Sequence, residues 1–360
     1  MSEPTRRPDT RRATVRLALL VSIAAAAASA GATTGCGNNG TGGGMAGIQP
    51  VGHVSVYCAL DLDLAEPVFA IFEAETHIKV DIAVDTETTK TTSLVNRLIA
   101  EKDNPRADIF WNNEIVQTLR LQRAGLLEPY RSRAAEAIPA RYKDPDGYWT
   151  GFAARGRVLI IYTGEGAGAD DSPASVADIT AARYRDAAAI ARPLFGTTLT
   201  HMVALGSRDA DAMHRFVADC KANQVHVESS NGDVARAVAE GRCRIGLTDT
   251  DDVQRQLAER KPVCMIWPDQ GDGHPGALLI PNTLALIRGA RNPEHARKLI
   301  DFLLSPRVEQ MLAEGAGAQI PLRPGVPRPP GTPDLKLMEV DWSAAGEQFD
   351  DTFAWLAKQF

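Results

Sequence analysis

Asp249, Asp251 and Asp252 fall within four residues, between the apolar run "RIGL" and a stretch spaced like a helix, "VQRQLAERK". Like charges this close repel unless a cation or backbone N–H groups offset them. Three chemistries fit. Asp249 or Thr250 can cap the helix while the other acids favour its positive end. The carboxylates can hold a hard metal ion, completed by Tyr57, Glu87 or Glu114. They can instead balance an organic cation such as a polyamine, with Tyr57 and Trp111 stacking on it. A calcium loop is excluded, because no Gly and no closing Glu occur at the required spacing.

Other polar turns repeat the pattern. Asp61 follows "HVSVYCAL", and Asp85 to Thr88, including Glu87, follows "IKVDIAVD". Asn112, Asn113 and Glu114 follow "ADIFW". Gly196, Thr197 and Thr198 follow "ARPLF", and Asn231 with Gly232 follows "VHVES". Singly, each turn is what a helix N-terminus asks for whatever the function. Together they outline a polar cleft, because ligands of open α/β sheets bind beyond the C-terminal ends of the strands. Gly196-Thr197-Thr198 offers free N–H groups and two hydroxyls, which suits an anion. Arg155 and Arg157, two apart on one strand, share a face and suit either an anionic ligand or acidic neighbours. "GEGAGA" (164–169) lacks the Lys-Ser/Thr ending of a phosphate loop and reads as a surface loop.

The elements that must carry these turns alternate. "IKVDIAVD" has the two-residue period of a half-buried strand. "DLAEPVFAIFEAET" and "TTSLVNRLIAEKDNP" place their apolar residues at helical spacing. A second run of strands and helices begins at "GRVLIIYT". The expectation is an α/β protein of two lobes, each a mainly parallel sheet flanked by helices, with the ligand cleft between them. Residues 53–154 plus 265–322 are assigned to one lobe and 155–264 to the other. The crossing strands near 157–163 and 263–267 are the expected hinges. The Pro-rich stretch in 323–360 is extended. The final segment, with Phe349, Phe353, Leu356 and Phe360 on one helical face, is expected to dock onto a lobe.

The chain has 360 residues and a net charge of −6, which argues against general nucleic-acid binding. Residues 1–36 read as an export signal: a basic start, an apolar centre, then small residues before Cys36. The cysteine resembles a lipobox cysteine, although Thr33 stands where leucine is usual. An ordinary cut near Ala-Ser-Ala is the alternative. "TRRATVR" resembles a twin-arginine signal without its phenylalanine. Residues 37–52, rich in Gly and Asn, read as a tether between lipid and domain. Outside the cytoplasmic membrane, Cys58, Cys220, Cys243 and Cys264 can form disulfides or stay as buried thiols. There is no Gly-x-Ser-x-Gly and no His-Glu-x-x-His, and the seven histidines are scattered.

Several segments in order resemble the periplasmic solute-binding proteins of bacterial ABC importers, in their ferric-iron-binding branch. These are "VSVYCAL", "PRADIFWNNEIVQTLRLQRAGLLEPY", "GFAARGRVLIIYT", "NGDVARAVAEGRCRIGLTDTDD", "PNTLALIRGARNPEHARKLIDFLLS" and "AQIPLRPGV". The resemblance implies a type II periplasmic-binding fold and no catalytic activity. It implies a monomer that closes over a solute and delivers it to an ABC permease. It also implies that Asp251 and Asp252 stand where iron-binding members carry a tyrosine pair. Tyr57 and Asn113-Glu114 then lie where further ligands occur, and Gly196, Thr197, Thr198 and Asn231 match the region holding a companion anion. The expected solute is Fe³⁺ or another hard metal. A polyamine or a phosphonate-like anion is the alternative, and an extracytoplasmic metal-dependent hydrolase is the alternative of another class.

Overall fold

The computed structural model describes residues 51–84, 92–165 and 172–360. The export signal, the tether to residue 50, Cys36 and Glu87 lie outside the described residues.

The first sheet is built from β1 (Gly52–Cys58), β2 (Ile78–Val84), β3 (Ile109–Asn112) and β4 (Leu127–Glu128), interleaved with α1 (Leu62–Thr76), α2 (Thr92–Ala100) and α3 (Val116–Arg123). β1 pairs parallel with β2 and β3. Next comes the long strand β5 (Thr150–Tyr162). The second sheet follows, with β6 (Ala188–Ala191), α4 (Gly196–Arg208), α5 (Ala210–Ala222), β7 (His226–Glu228), α6 (Asn231–Ala239), β8 (Ile245–Asp249), α7 (Thr250–Ala258) and β9 (Val263–Ile266). The chain returns through β10 (Leu279–Ile287), α8 (Pro293–Leu303) and α9 (Pro306–Glu314), and ends in α10 (Trp342–Glu347) and α11 (Phe349–Leu356).

β5 joins the two lobes. Its Thr150–Gly156 portion pairs antiparallel with β10 in the first sheet, and from Arg157 onward it pairs antiparallel with β8 and β9 in the second. Strand alternation then builds four core layers. Val158 and Ile160 face one side of the second sheet with Val234 and Val238. Leu159 and Ile161 face the other with Ile190 and Leu247. In the first sheet Ile109 and Trp111 point to one core, and Phe110 points to the other.

Three details differ from the sequence expectation. The sheets are mixed and not mainly parallel, because β10 and β5 run against their neighbours where the chain crosses between lobes. Arg155 and Gly156 still pair within the first sheet, so the outward crossing lies between Gly156 and Arg157. Met265 and Ile266 pair with Ile160 and Leu159, so β9 belongs to the second sheet throughout and the return crossing comes after it. Gly156 has a physical reason to be glycine: a Cβ there would lie 2.2 Å from the Trp267 ring.

The C-terminal segment forms two short helices. Trp342, Phe349 and Leu356 enter the core that also holds Phe110 and the α4 residues Leu199, Met202 and Val203. Phe353 is 38% exposed and leaves that face.

Candidate functional site

β8 ends at Asp249 and α7 starts at Thr250, so the three aspartates sit on a strand-to-helix turn, as the sequence pattern requires. The turn opens onto a cavity of about 370 Å³ between the lobes. Its walls include Asp61 and Asn113 from the first lobe, Arg155 from the crossing strand, and Thr197, Asn231 and all three aspartates from the second. Two larger cavities, of about 470 and 570 Å³, lie along the 130–150 loop of the first lobe and hold none of the clustered acids. Chemistry, and not size, singles out the smaller one.

The three acids have different surroundings. Asp249 faces Arg157 directly across the antiparallel β5–β8 pair. Arg157 Nη1 donates to its Oδ1 at 2.6 Å. Thr197 Oγ1 donates to Oδ2 at 2.5 Å, and Asn231 Nδ2 donates to the same oxygen at 3.3 Å. Arg157 also donates to Thr198 Oγ1 and Asn231 Oδ1, and Thr198 Oγ1 donates to Asn231 Oδ1. Asp249 therefore has its charge balanced and its acceptors filled. It takes the N-cap backbone position of α7 but makes no capping bond with its side chain. The Thr250 hydroxyl is not the cap either. It accepts the N–H of Gly156 and ties the start of α7 to the crossing strand.

Asp251 and Asp252 are half-buried in the first turn of α7. Asp251 Oδ2 stands 3.6 Å from Arg155 Nη1, and its Oδ1 has no hydrogen-bond partner among the described residues. Burial pushes the Asp251 carboxyl up to about 6. Arg155 works against that rise, and Asp249 and Asp61 add to it. Asp252 accepts one bond, from Thr248 Oγ1 at 3.1 Å. Burial, then Asp251 and Asp249, raise its carboxyl well above the usual range. One oxygen from each of the three acids lies within 4.8 Å of the others, which suits a cation with oxygen ligands. Arg155 is opposed by burial, but Asp251, Asp249, Asp61 and Asp252 outweigh it and hold its guanidinium above the ordinary value.

The remaining expected residues divide. Arg155, Asn113, Thr197 and Asn231 line the cavity. Thr198 lies beneath it in the Arg157 network. Gly196 opens α4 at φ +61, a backbone angle that favours glycine, although a Cβ there would meet no other atom within 4 Å. Tyr57 is not brought to the cavity. Alternation along β1 turns it into the core, where its hydroxyl donates to Glu101 at 2.8 Å and Arg97 covers its ring. Trp111 is wholly buried against Phe69 and Phe152, so it offers no stacking face to a ligand. Glu114 is wholly buried too. It accepts from Val116 N, Gln117 N, Asn112 Nδ2 and Thr200 Oγ1, and so caps α3 and fastens α4. Among the described residues Cys220, Cys243 and Cys264 are free thiols, and burial raises Cys220 to about 12; the buried Cys58 thiol donates to the Leu60 carbonyl.

Around the cleft, Arg157, Asp61 and Arg255 have parts that the sequence did not assign. Arg157 carried a signal, its two-residue spacing from Arg155, but not the information that Asp249 is its counter-charge. Asp61 followed the first strand and lines the cavity. Arg255, one helical turn after Asp251, reaches back to within 3.8 Å of Asp61 Oδ2.

Two α/β lobes joined at crossing strands, with a polar cleft where the strands end, define the periplasmic-binding fold. The solved structures agree. Iron-bound HitA from Pseudomonas aeruginosa superposes with a TM-score of 0.76 at 19% identity, covering 85% of this chain and 99% of that one. AfuA from Actinobacillus pleuropneumoniae, bound to fructose-6-phosphate, gives 0.75 at 20% identity, with 86% and 98% covered. The chain belongs to the bacterial extracellular solute-binding protein family, whose sequence profile matches residues 104–342. It is thus classed with solute-binding proteins and not with enzymes. A putative 2-aminoethylphosphonate-binding periplasmic protein of Salmonella typhi is 28% identical over 230 residues, 61% of this chain. That match covers 64% of the Salmonella protein, less than two thirds of its length. Iron uptake protein A1 of Synechocystis is 24% identical, over 76% of this chain and 77% of its own.

Proposed function

We propose that this protein captures a small solute outside the cytoplasmic membrane and delivers it to an ABC permease. The solute is a hard metal ion, ferric iron first, accompanied by an anion. The observation that carries the reading is that Asp251 and Asp252 face the interlobe cavity beside the saturated Asp249, with Asp251 Oδ1 unpaired. Carboxylate oxygens are the donors a hard cation takes. Arg155, the Thr197 hydroxyl and Asn231 supply polar groups for the companion anion. The lobes close about Gly156–Arg157 and the segment after β9. The export signal and Cys36 support a lipid anchor that holds the protein at the membrane. Cys36→Ala is expected to move it from the membrane fraction to the soluble one, and unchanged fractionation would remove the anchor from the reading.

A second ligand has its own support. Arg155, Arg236 and Arg255 line the same cavity as the acids, which fits a zwitterion such as 2-aminoethylphosphonate, the compound in the name of the Salmonella relative. Native mass spectrometry and elemental analysis of protein purified without chelators separate the two. Bound iron supports the first reading. A metal-free protein that binds 2-aminoethylphosphonate in calorimetry replaces it with the second.

A further inference from the structure

Thr250 is the first residue of α7 and directly precedes Asp251 and Asp252. It is buried, and its hydroxyl bonds away from its own helix, accepting the Gly156 N–H at 3.2 Å. Gly156 is the last residue of β5 to pair in the first sheet, opposite Leu279, and Arg157 is the first to pair in the second. The bond therefore fastens the start of the acid-bearing helix to the point where the chain changes sheets. Trp267, directly after β9, reaches the same junction from the return crossing. Its ring covers Gly156, where a Cβ would overlap the indole and stand 3.2 Å from Thr250 Cγ2. The ring also packs against a core of each lobe, one holding Val54, Ile109 and Phe152 and the other Val158, Ile160 and Val253. Gly156, Thr250 and Trp267 are not among the residues that wall the ligand cavity.

We propose that these three residues form a joint that couples ligand capture to lobe rotation, with Thr250 as the positioning residue for Asp251 and Asp252. The inference rests on the capture-and-closure reading above. Backbone hydrogen bonds make a helix stiff over one turn. A ligand that draws Asp251 and Asp252 toward Asp61 and Asn113 of the first lobe therefore moves Thr250 with them. The hydroxyl passes that movement to Gly156, because the N–H it accepts is costly to leave unpaired in a buried place. Rotation between Gly156 and Arg157 is a change in a few backbone torsions, as at other hinges. Glycine lets the indole lie against the strand where those torsions change. Because Trp267 touches a core on each side, rotation must shift its ring against at least one of them. Packed contacts of this kind settle in discrete arrangements, so the ring fixes the angles at which the lobes rest.

The test combines calorimetry, X-ray scattering and tryptophan fluorescence on the full chain, Thr250→Val, Thr250→Ser and Trp267→Phe. Ferric citrate and 2-aminoethylphosphonate are the probes, and apo melting temperatures check that each variant is folded. In the wild type, the probe that binds is expected to reduce the radius of gyration and to shift the tryptophan emission. Trp267→Phe is expected to lose the emission shift and still become more compact. Thr250→Val keeps the side-chain shape and removes the acceptor. It is expected to bind about tenfold more weakly, the scale of one hydrogen bond, and at saturation to give only a fraction of the wild-type emission shift. Thr250→Ser, which keeps the hydroxyl, restores both. A hydroxyl that only stabilises the fold would lower the melting temperature of Thr250→Val and leave its affinity and saturated emission shift unchanged. That result overturns the role given to Thr250. An emission shift that survives in Trp267→Phe removes Trp267 from the joint while the closure reading stands. Binding without compaction, or no binding of either probe, sinks the capture-and-closure reading and this inference with it.

Discussion

Two buried carboxylate–arginine pairs in this molecule are built differently. Glu309, on α9, is wholly buried and fully used. Its Oε1 accepts from Ala153 N and Leu322 N, both at 2.9 Å, and its Oε2 accepts from Arg323 Nε at 2.6 Å. Arg323 in turn donates to the carbonyls of Ala134 and Leu304. Asp251, in the cleft, has an arginine at 3.6 Å and one oxygen without a partner. The first pair fastens the end of the first lobe to β5. The second leaves valence open where a ligand can enter. Burial alone does not separate a structural acid from a binding one, but hydrogen-bond completeness does. A saturated carboxylate has nothing left to offer, whereas an unsaturated one bears a desolvation cost that a ligand can relieve.

Removing the saturated acid should have the largest effect. Glu309→Leu strands Arg323 without a counter-charge and leaves two N–H groups unpaired. It is expected to cost about 3–5 kcal/mol of unfolding free energy in denaturant titration. A loss under about 1 kcal/mol would show that the completed network adds little and would break the contrast.

The open acids should behave the other way. Asp251→Asn with Asp252→Asn keeps shape and removes two buried charges that repel. The apo melting temperature should hold or rise. Stabilisation by ligand should disappear, which for the wild type at a hundredfold excess over Kd is about 2.7 kcal/mol. Unchanged ligand-induced stabilisation in the double variant would move the site elsewhere.

The smallest effects concern pH and sharpen the same contrast. Burial, then Arg157, lowers the His201 imidazole to about 3, and neither ring nitrogen has a partner among the described residues. The unfolded chain takes up that proton near the ordinary value of 6.5, so His201 should reduce stability as pH falls from about 6.5 toward 3. Asp251 has the opposite sign. Its folded carboxyl is raised from 3.8 to about 6, so its contribution to apo stability is present below 3.8 and lost as pH rises through 6. Because the two windows overlap and the slopes oppose, His201→Leu should tilt the stability–pH curve downward with rising pH between 3.8 and about 6, and Asp251→Asn should tilt it upward. A slope that does not change in a variant belongs to another group.

The order of strands and helices, the polar turns and the acid cluster were all legible in the sequence. Each is a local pattern, a period of two or 3.6 or a run of neighbouring charges, and local sterics fix it. The family resemblance was legible for the same reason, as a series of such patterns in order. What became of each polar side chain was not. Tyr57 and Glu114 had the residue types and positions of ligands, yet one packs in the core against Glu101 and the other caps α3 and holds α4. Arg155 and Arg157 looked equivalent on one strand, but the chain changes sheets between them. Arg157 was thereby fixed to Asp249, 92 residues away, and Arg155 was left beside the open carboxylate of Asp251. Charge pairing across such separations depends on which strands lie side by side, and only the assembled sheets decide that.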